Sequence, residues 1–461
     1  MAPARCLFAV MVAAAPTGCA TYTAKTLSPA ATQAQLASRT LRDDGVQRFL
    51  AAHGQPASSE AWGLAQLTLA AYYFNPELEV ARAQLAEAEA GVQTAQARPN
   101  PAFTFTPGRS DATPGGISPW ILSYVLNVPL EFPGKRPHRT TEAHHRAEQT
   151  RFALAARAWA IHRTVREAWL DVCGAKAVAE LQRAQLPLLA EVARLIEAKV
   201  QAGDASPLQA AEAQVARERV ELTVRETERA AALARSRLAE AIGVPLAALA
   251  DVRLESRTLA ESPVQPSVSE ARTWAAQNRP DLLAALAEYA ATQAALQGEV
   301  TRQYPDLQLG PGYQLDQGEG KWSLGLGVGL PVFHQNQGPI AAAEARRTAA
   351  AARFLSLQHR VLAEVDRTAA DLASTQTDLP RLKLLRDALE RQTRIVRAQQ
   401  AAGDTSRLEL TRAETAMAEH ARLELDVRLR VARALGAYED AVQRPLAWQE
   451  TAWRSSRSDL R

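Results

Sequence analysis

Residues 321–333 read KWSLGLGVGLPVF. Trp322, Leu324, Leu326, Val328 and Leu330 are apolar, and Ser323, Gly325, Gly327 and Gly329 between them are tiny. A period of two predicts a strand with one apolar face and one nearly bare. An ordinary half-buried strand carries charge or Thr on its second face. Glycine weakens a strand, so three alternating glycines mark a close approach or a space kept open.

The rest of the chain has a different texture. Ala, Arg, Glu, Leu and Gln dominate long stretches of the 461 residues, and aromatics are only 5%. That composition predicts long helices rather than compact α/β layers. The formal net charge of +3 gives no reason to expect nucleic acid as a partner. No apolar run approaches the length of a transmembrane helix. At the N-terminus, Arg5 precedes CLFAVMVAAA and then PTGCA, the layout of a secretory signal over residues 1–18. Gly18-Cys19 resembles a bacterial lipobox, so Cys19 is the expected lipid-attachment residue, with Pro16 where that pattern prefers Leu and plain cleavage near Ala20 as the alternative. After processing, Cys19 and Cys173 are the only cysteines, which excludes a disulfide framework. Cys173, among helical Ala and Val, reads as a small core residue.

The chain repeats itself. Residues 75–108, NPELEVARAQLAEAEAGVQTAQARPNPAFTFTPG, match 279–312, RPDLLAALAEYAATQAALQGEVTRQYPDLQLGPG, with Pro76, Pro101, Pro107 and Gly108 falling on Pro280, Pro305, Pro311 and Gly312. AGDASPL at 202–208 matches AGDTSRL at 402–408. The duplicated unit is about 200 residues, too long for a solenoid repeat. Each unit predicts a helix, a strand pair, a very long helix, a tight turn and a returning helix. In the first, the long helix runs from about 139 to 201, broken at Pro187; in the second it covers 340–401 with Pro380. Gly203 suits a helix C′ position and Ser206 the following N-cap, and the second unit repeats the turn at Gly403-Asp404 before a helix over 406–443. The expected layout is a signal at 1–18, an extended tail at 19–58, and a first repeat at 59–242 with strands near 101–133. An irregular link at 243–268 leads to a second repeat at 269–443 with strands near 304–333, then a tail at 444–461. Taken alone, the returning helices, with heptad-like apolar spacing as in LQAAEAQVARERVEL, would suit a soluble coiled coil.

The strands argue otherwise. Phe103 and Phe105 flank Thr104; Trp120, Leu122, Tyr124, Leu126 and Val128 alternate with residues that include Ser123 and Asn127; Leu307, Leu309, Tyr313 and Leu315 alternate with polar residues and glycine. Apolar on one face and small or polar on the other, with aromatics near the ends, is the transmembrane β-strand pattern. Every backbone polar group in a bilayer must be paired, so the sheet must close, and four strands cannot. Several copies must pool their strands. The Trp/Leu/Val face, including Trp120, Leu122, Tyr124, Trp322, Leu324 and Leu326, is then expected to meet lipid. Ser323, Gly325, Gly327 and Gly329 are expected to clear a lumen.

The duplicated helix–hairpin–long helix–turn–helix unit resembles the TolC-like outer-membrane efflux channels over nearly all of the mature chain. VPLEFPGKR at 128–136 and LPVFHQNQGPIAAAEA at 330–345, each where a strand exits into a long helix, resemble more closely the cobalt–zinc–cadmium resistance (CzcC-type) branch, which includes the copper/silver channels. The resemblance implies a mainly α fold with transmembrane β: a homotrimer sharing one twelve-stranded barrel, continued by a periplasmic α-barrel. It implies a periplasmic adaptor and a resistance–nodulation–division pump as partners, with the channel itself a passive exit for heavy-metal cations. It places the adaptor-contact tips at Gly203-Asp204 and Gly403-Asp404. Acidic residues beyond the second tip ring the constriction in well-known members. Glu409 keeps one such position, Arg412 departs at the other, and Asp404 is the further gate candidate. Ordinary ion pairs on a solvated helix face are the alternative for Glu409 and Arg412.

Nothing predicts an enzyme or a cofactor. The eight histidines are scattered, and no Ser/His/Asp set, HExxH or phosphate-cradling loop occurs. In RPHRTTEAHH at 136–145, His138, Glu142 and His145 share a helix face, but Arg136, Arg139 and Arg146 surround them. A polar belt beside the bilayer explains the cluster better than metal ligation. Organic drugs or secreted polypeptides are the alternative cargo, and a structural coiled coil the distant one.

Overall fold

The computed structural model describes residues 20–55, 61–111, 114–255 and 266–446. The expected signal segment, with Cys19, and most of the C-terminal tail lie outside them. Two short helices, α1 (Pro29–Ala37) and α2 (Asp44–Ala52), precede a two-residue strand β1 (Ala61–Trp62) and α3 (Leu64–Phe74). The first unit continues with α4 (Pro76–Gln96), β2 (Ala102–Arg109), β3 (Trp120–Leu130), α5 (Lys135–Gln201) and α6 (Pro207–Ile242). A 3₁₀ turn at Leu246–Leu249 and β4 (Arg253–Leu254) lead to the second unit. That unit has α7 (Val268–Asn278), α8 (Pro280–Thr301), β5 (Leu307–Asp316), β6 (Glu319–Val328), α9 (Gln337–Gln376), α10 (Asp378–Ala402) and α11 (Arg407–Val442).

Three expectations need correction. The 19–58 stretch is not an extended tail, because α1 and α2 occupy much of it. Ser28 and Asp43 cap their N-termini, and Val46 and Leu50 bury one face of α2 in the core. Arg39, between them, donates to Phe74 O at 2.9 Å and Gly243 O at 2.8 Å, tying this segment to the ends of α3 and α6. The break expected at Pro187 is absent, and α5 runs through it for 67 residues, about 100 Å. The second long helix does break, but at Thr377; Pro380 then falls in the first turn of α10, where its missing N–H has no intrahelical partner to lose.

One four-stranded sheet has the order β2-β3-β5-β6, all neighbours antiparallel. The helices follow the same order beneath it. Beside the sheet, α4 packs on α5, α5 on α8 and α8 on α9; farther away, α6 packs on α5, α5 on α11 and α11 on α10. One flank is therefore β2, α4 and α6, and the other β6, α9 and α10. Both flanks carry unsatisfied surface. The sheet edges are open; Leu208, Val215 and Leu222 stand exposed on α6 at heptad spacing, and Leu384 and Ile395 stand exposed on α10.

The largest cores lie at the waist, where β1 pairs in parallel with β4. One joins α2, α3, α4, the middle of α5 and the end of α6, and includes Cys173. Burial pushes that thiol up to about 12, against the opposing pull of Lys176. The other joins α7, α9, α10 and α11. The repeat solves one junction twice with different residues. Asn75 Nδ2 donates to Ala241 O at 3.1 Å, and at the matching position Arg279 Nη1 donates to Ala441 O at 2.8 Å while pairing with Asp281 and Glu364.

Candidate functional site: sheet faces and helical tips

The register decides the faces. Tyr124 pairs with both Phe105 and Tyr313, and Tyr313 pairs with Trp322, so these four share one face. Their rings form a row across all four strands, with centroids 5.0, 6.5 and 4.8 Å apart in turn. The same parity puts Phe103, Trp120, Leu122, Leu126, Leu307, Leu309, Leu315, Leu324, Leu326 and Val328 beside them. Thr104, Ser123, Asn127, Gln308, Gly310, Gly312, Ser323, Gly325 and Gly327 fall on the other face. Gly329 lies one residue past the end of β6 and keeps that alternation. β6 is exposed along its whole length on both faces, with Trp322 85% and Leu326 68% exposed on the apolar one. Such a row of exposed apolar side chains beside a bare face is not a surface for water alone.

Strand exits explain the two motifs. Gly134 (φ +104°) and Asn336 (φ +62°) occupy matching N-caps where the chain turns from strand to helix. A left-handed conformation there suits only Gly or Asn well. Glu131 accepts from Arg139 Nη1 at 2.6 Å, and Arg139 also donates to Ala95 O and Ala97 O, closing the C-terminus of α4. Asp306, just before β5, receives Lys135 Nζ at 2.8 Å and the Phe132 N–H at 2.7 Å. Nearby, His145 Nδ1 contacts Glu148 Oε2 at 2.9 Å and Glu142 holds Arg146. Among the described residues no group of three or more His, Cys, Asp or Glu could hold a metal ion.

The far ends of the helices are matched turns. Asp204 N–H donates to Lys199 O at 2.8 Å and Gly203 N–H to Val200 O at 3.0 Å; Asp404 to Gln399 O and Gly403 to Gln400 O repeat this at 2.9 and 3.1 Å. These are Schellman closures, with Gly203 (φ +81°) and Gly403 (φ +85°) left-handed at C′. Ser206 Oγ then accepts from Gln209 N–H and Ser406 Oγ from Glu409 N–H. The two tips touch through a small core of Ile196, Ala213 and Leu408. Glu409 and Arg412 form an exposed pair, Nη1 to Oε1, of 3.0 Å within one chain.

A buried polar node at the waist has no sequence signal. Arg166 on α5 is 5% exposed. Its Nη2 meets Asp440 Oδ2 at 2.6 Å and its Nη1 meets Glu439 Oε2 at 3.2 Å, while Trp159 Nε1 donates to Asp440 Oδ1 at 3.0 Å. Arg166 looks like any other Arg in an Arg/Glu-rich helix. Only Gly436 opposite hints at it: a Cβ there would lie 2.7 Å from Arg166 Nε. His162 one turn earlier shares Nδ1 with Thr68 Oγ1 at 3.1 Å. Burial, reinforced by the Arg166 charge, pulls its pKa down to about 3.

Two lengths of the chain, 70–244 and 273–439, match the sequence profile described as "Outer membrane efflux protein", one for each repeat. The chain belongs to the outer membrane efflux protein family. It is similar to the cobalt-zinc-cadmium resistance protein CzcC of Cupriavidus metallidurans, with 27% identity over 310 residues, 66% of this chain and 72% of CzcC. In fold it is similar to the outer membrane protein VceC of Vibrio cholerae, at a TM-score of 0.67 and 19% identity over 83% of this chain and 96% of VceC. It is equally similar to the Neisseria gonorrhoeae MtrE outer membrane channel, at 0.67 and 19% over 83% of this chain and 89% of MtrE. The TolC-like fold and the CzcC relationship anticipated from the strand-exit motifs are both present.

Proposed function

We propose that three copies of this chain close one twelve-stranded barrel in the outer membrane of a Gram-negative cell and continue it as a helical duct through the periplasm. The duct is a passive exit for heavy-metal cations. A periplasmic adaptor docks at Gly203-Asp204 and Gly403-Asp404, and an inner-membrane resistance–nodulation–division pump supplies the energy. The observation that carries this reading is the register: four strands that gather their aromatic and leucine side chains on one face and most of their small and polar residues on the other, with Ile121 and Val125 the apolar exceptions there, and two open edges. Such a sheet satisfies its backbone in lipid only by closing with further copies. The apolar face, with Trp120, Leu122, Tyr124, Trp322, Leu324 and Leu326, meets lipid. Ser323, Gly325, Gly327 and Gly329 line the lumen, and Cys19 carries the lipid anchor.

Metal as cargo is supported by the similarity to CzcC. Glu409, with Asp404 beside the tip, brings negative charge to the narrow end, and Arg412 balances it. The deciding experiment deletes the gene in its own host and measures cell-associated zinc, cobalt, cadmium and copper beside tolerance to organic drugs. Metal accumulation with unchanged drug tolerance is the expected result. Drug sensitivity with unchanged metal content overturns the cargo and leaves the channel.

A further inference from the structure

We propose that the seam between copies joins β2 of one chain to β6 of the next with a fixed stagger: Phe105 lies opposite Leu326 or Val328, not opposite Trp322. This deepens the channel reading and rests on its placing of the apolar face outward. The partner is a second copy because the two open flanks of one chain are complementary. Each joins an open strand edge to an exposed apolar helix stripe, and two strands separate the flanks within the chain.

The stagger follows from hydrogen bonding and handedness. Ser110 N–H donates to Pro119 O at 2.8 Å in the register of β2 and β3. Pairs alternate in an antiparallel ladder, so Phe105 and Tyr124 form a non-hydrogen-bonded pair. The N–H and C=O of Phe105 therefore point away from β3, to the open edge. Likewise Gln317 N–H donates to Trp120 O, which turns the outer-face groups of β3 toward β5. Beyond the two-residue turn at Gln317-Gly318, Asp316 faces Glu319 as the closing pair, so Trp322, Leu324, Leu326 and Val328 again address the open edge. Outer-face residues of the two edges can thus bond each other, except that Pro107 has no N–H to donate and offers only its carbonyl, and only even displacements preserve the faces.

An L-residue with its side chain toward the viewer and its strand running upward directs N–H and C=O to the right. Seen from the apolar side, the next copy's β6 therefore stands to the right of β2. Strand twist has one hand, and the strands of a closed barrel lean by about 35–45°. Leaning to the right, four strands spaced about 4.8 Å apart accumulate about 13–19 Å of offset along the strand. At about 3.4 Å per residue that is four or six residues per chain, the even values available. A straight continuation of the aromatic row, Trp322 opposite Phe105, would mean strands with no lean. The offset runs toward the C-terminal end of β6, whichever end of the barrel faces outside. Displacement by four sets all of β2 against residues 322–329 and brings Arg109 beside Trp322 of the next chain.

Cysteine pairs on the small-residue face read the register directly. Thr104→Cys is combined in turn with Gly327→Cys (displacement four), Gly329→Cys (six) and Ser323→Cys (none). Cβ atoms at Gly327 and Gly329 meet no close contact, and the buried Cys173 thiol does not compete. Within one chain each pair of positions is at least about 14 Å apart, beyond the reach of about 7 Å that a disulfide tolerates. Any bond is therefore between chains. Oxidation of the membrane-embedded protein should give covalent dimers and trimers with Gly327→Cys or Gly329→Cys, and at least tenfold less with Ser323→Cys. Preferential bonding through Ser323→Cys overturns the stagger. So does the absence of all three bonds in variants that extract at the parent's trimer mass. A parent protein that extracts as a monomer overturns the channel reading itself, and the seam with it.

Discussion

Arg166 and Asp440 stand 274 positions apart, one in each repeat, and meet through a buried Nη2–Oδ2 contact of 2.6 Å. With Glu439 they tie the middle of α5 to the end of α11. A buried pair of this kind adds little net stability over an apolar substitute, but removing one partner strands the other charge without water. Burial already opposes the Asp440 charge and raises its pKa, with Arg166 and Trp159 pulling the other way. Arg166→Ala leaves two buried carboxylates and should cost about 3–5 kcal/mol. Paired with Asp440→Asn and Glu439→Gln, much of that loss should return. Denaturant midpoints of the extracted protein check this; a midpoint for Arg166→Ala within error of the parent would mean that the node is solvated.

His162 adds a pH dependence whose sign is fixed. Its folded pKa of about 3 lies below the ordinary 6.5, because burial and the Arg166 charge disfavour the imidazolium. The unfolded chain therefore binds the proton more readily. Its contribution is complete above pH 6.5 and is lost as pH falls from there toward 3, by up to about 1.4 kcal/mol per pH unit. Between pH 6.5 and 5, where most carboxylates stay ionised, His162→Gln should flatten the stability profile. Parallel profiles for parent and variant would show that His162 is already open to water.

Opposite substitutions on adjacent residues test the sheet faces. Leu326→Arg puts a charge among the apolar residues of β6 and should cost about 2–4 kcal/mol at mid-bilayer. Gly327→Ser adds a hydroxyl to the small-residue face, where the nearest atom to a new Cβ is Gln308 Cβ at 3.5 Å. It should assemble as the parent does. Heat-resistant oligomer in outer-membrane fractions is the readout, and equal yields for both variants would invert the face assignment.

What could be read in the sequence depended on how local the cause was. Trp322 to Gly329 declared the strand faces because the period of two is written in consecutive residues. Gly203 and Gly403 declared the tips because Schellman closures need a left-handed residue at a fixed place. The tail at 19–58 misled because α1 and α2 are too short for periodicity to show, and α2 is stabilised by Val46 and Leu50 against distant helices. Arg166 could not be separated from its many exposed neighbours, since its burial comes from α11 in the other repeat. Pro187 misled for a related reason. A helix packed along most of its length can keep its course through a lost hydrogen bond that would end an isolated one.

The helical tips carry the last prediction. Glu409 lies in the first turn after Ser406, its N–H held by the Ser406 hydroxyl and its carboxylate by Arg412 at 3.0 Å. Both side chains are half exposed in the single chain, so neither packs the seam between helices. If three copies bring them around one axis, three carboxylates repel each other at short range, and the three arginines offset that repulsion. Glu409→Ala then leaves a positive ring and should lower cation selectivity in a planar bilayer. Arg412→Ala frees the carboxylates to repel, which should loosen the closed state and raise conductance. A surface pair of this kind is worth only about 0–1 kcal/mol, so oligomer stability should hardly change in either variant. Single-channel currents identical to the parent's in both would reduce Glu409 and Arg412 to a solvated pair, and the constriction would then have to be sought at Asp404 and its neighbours in the tip.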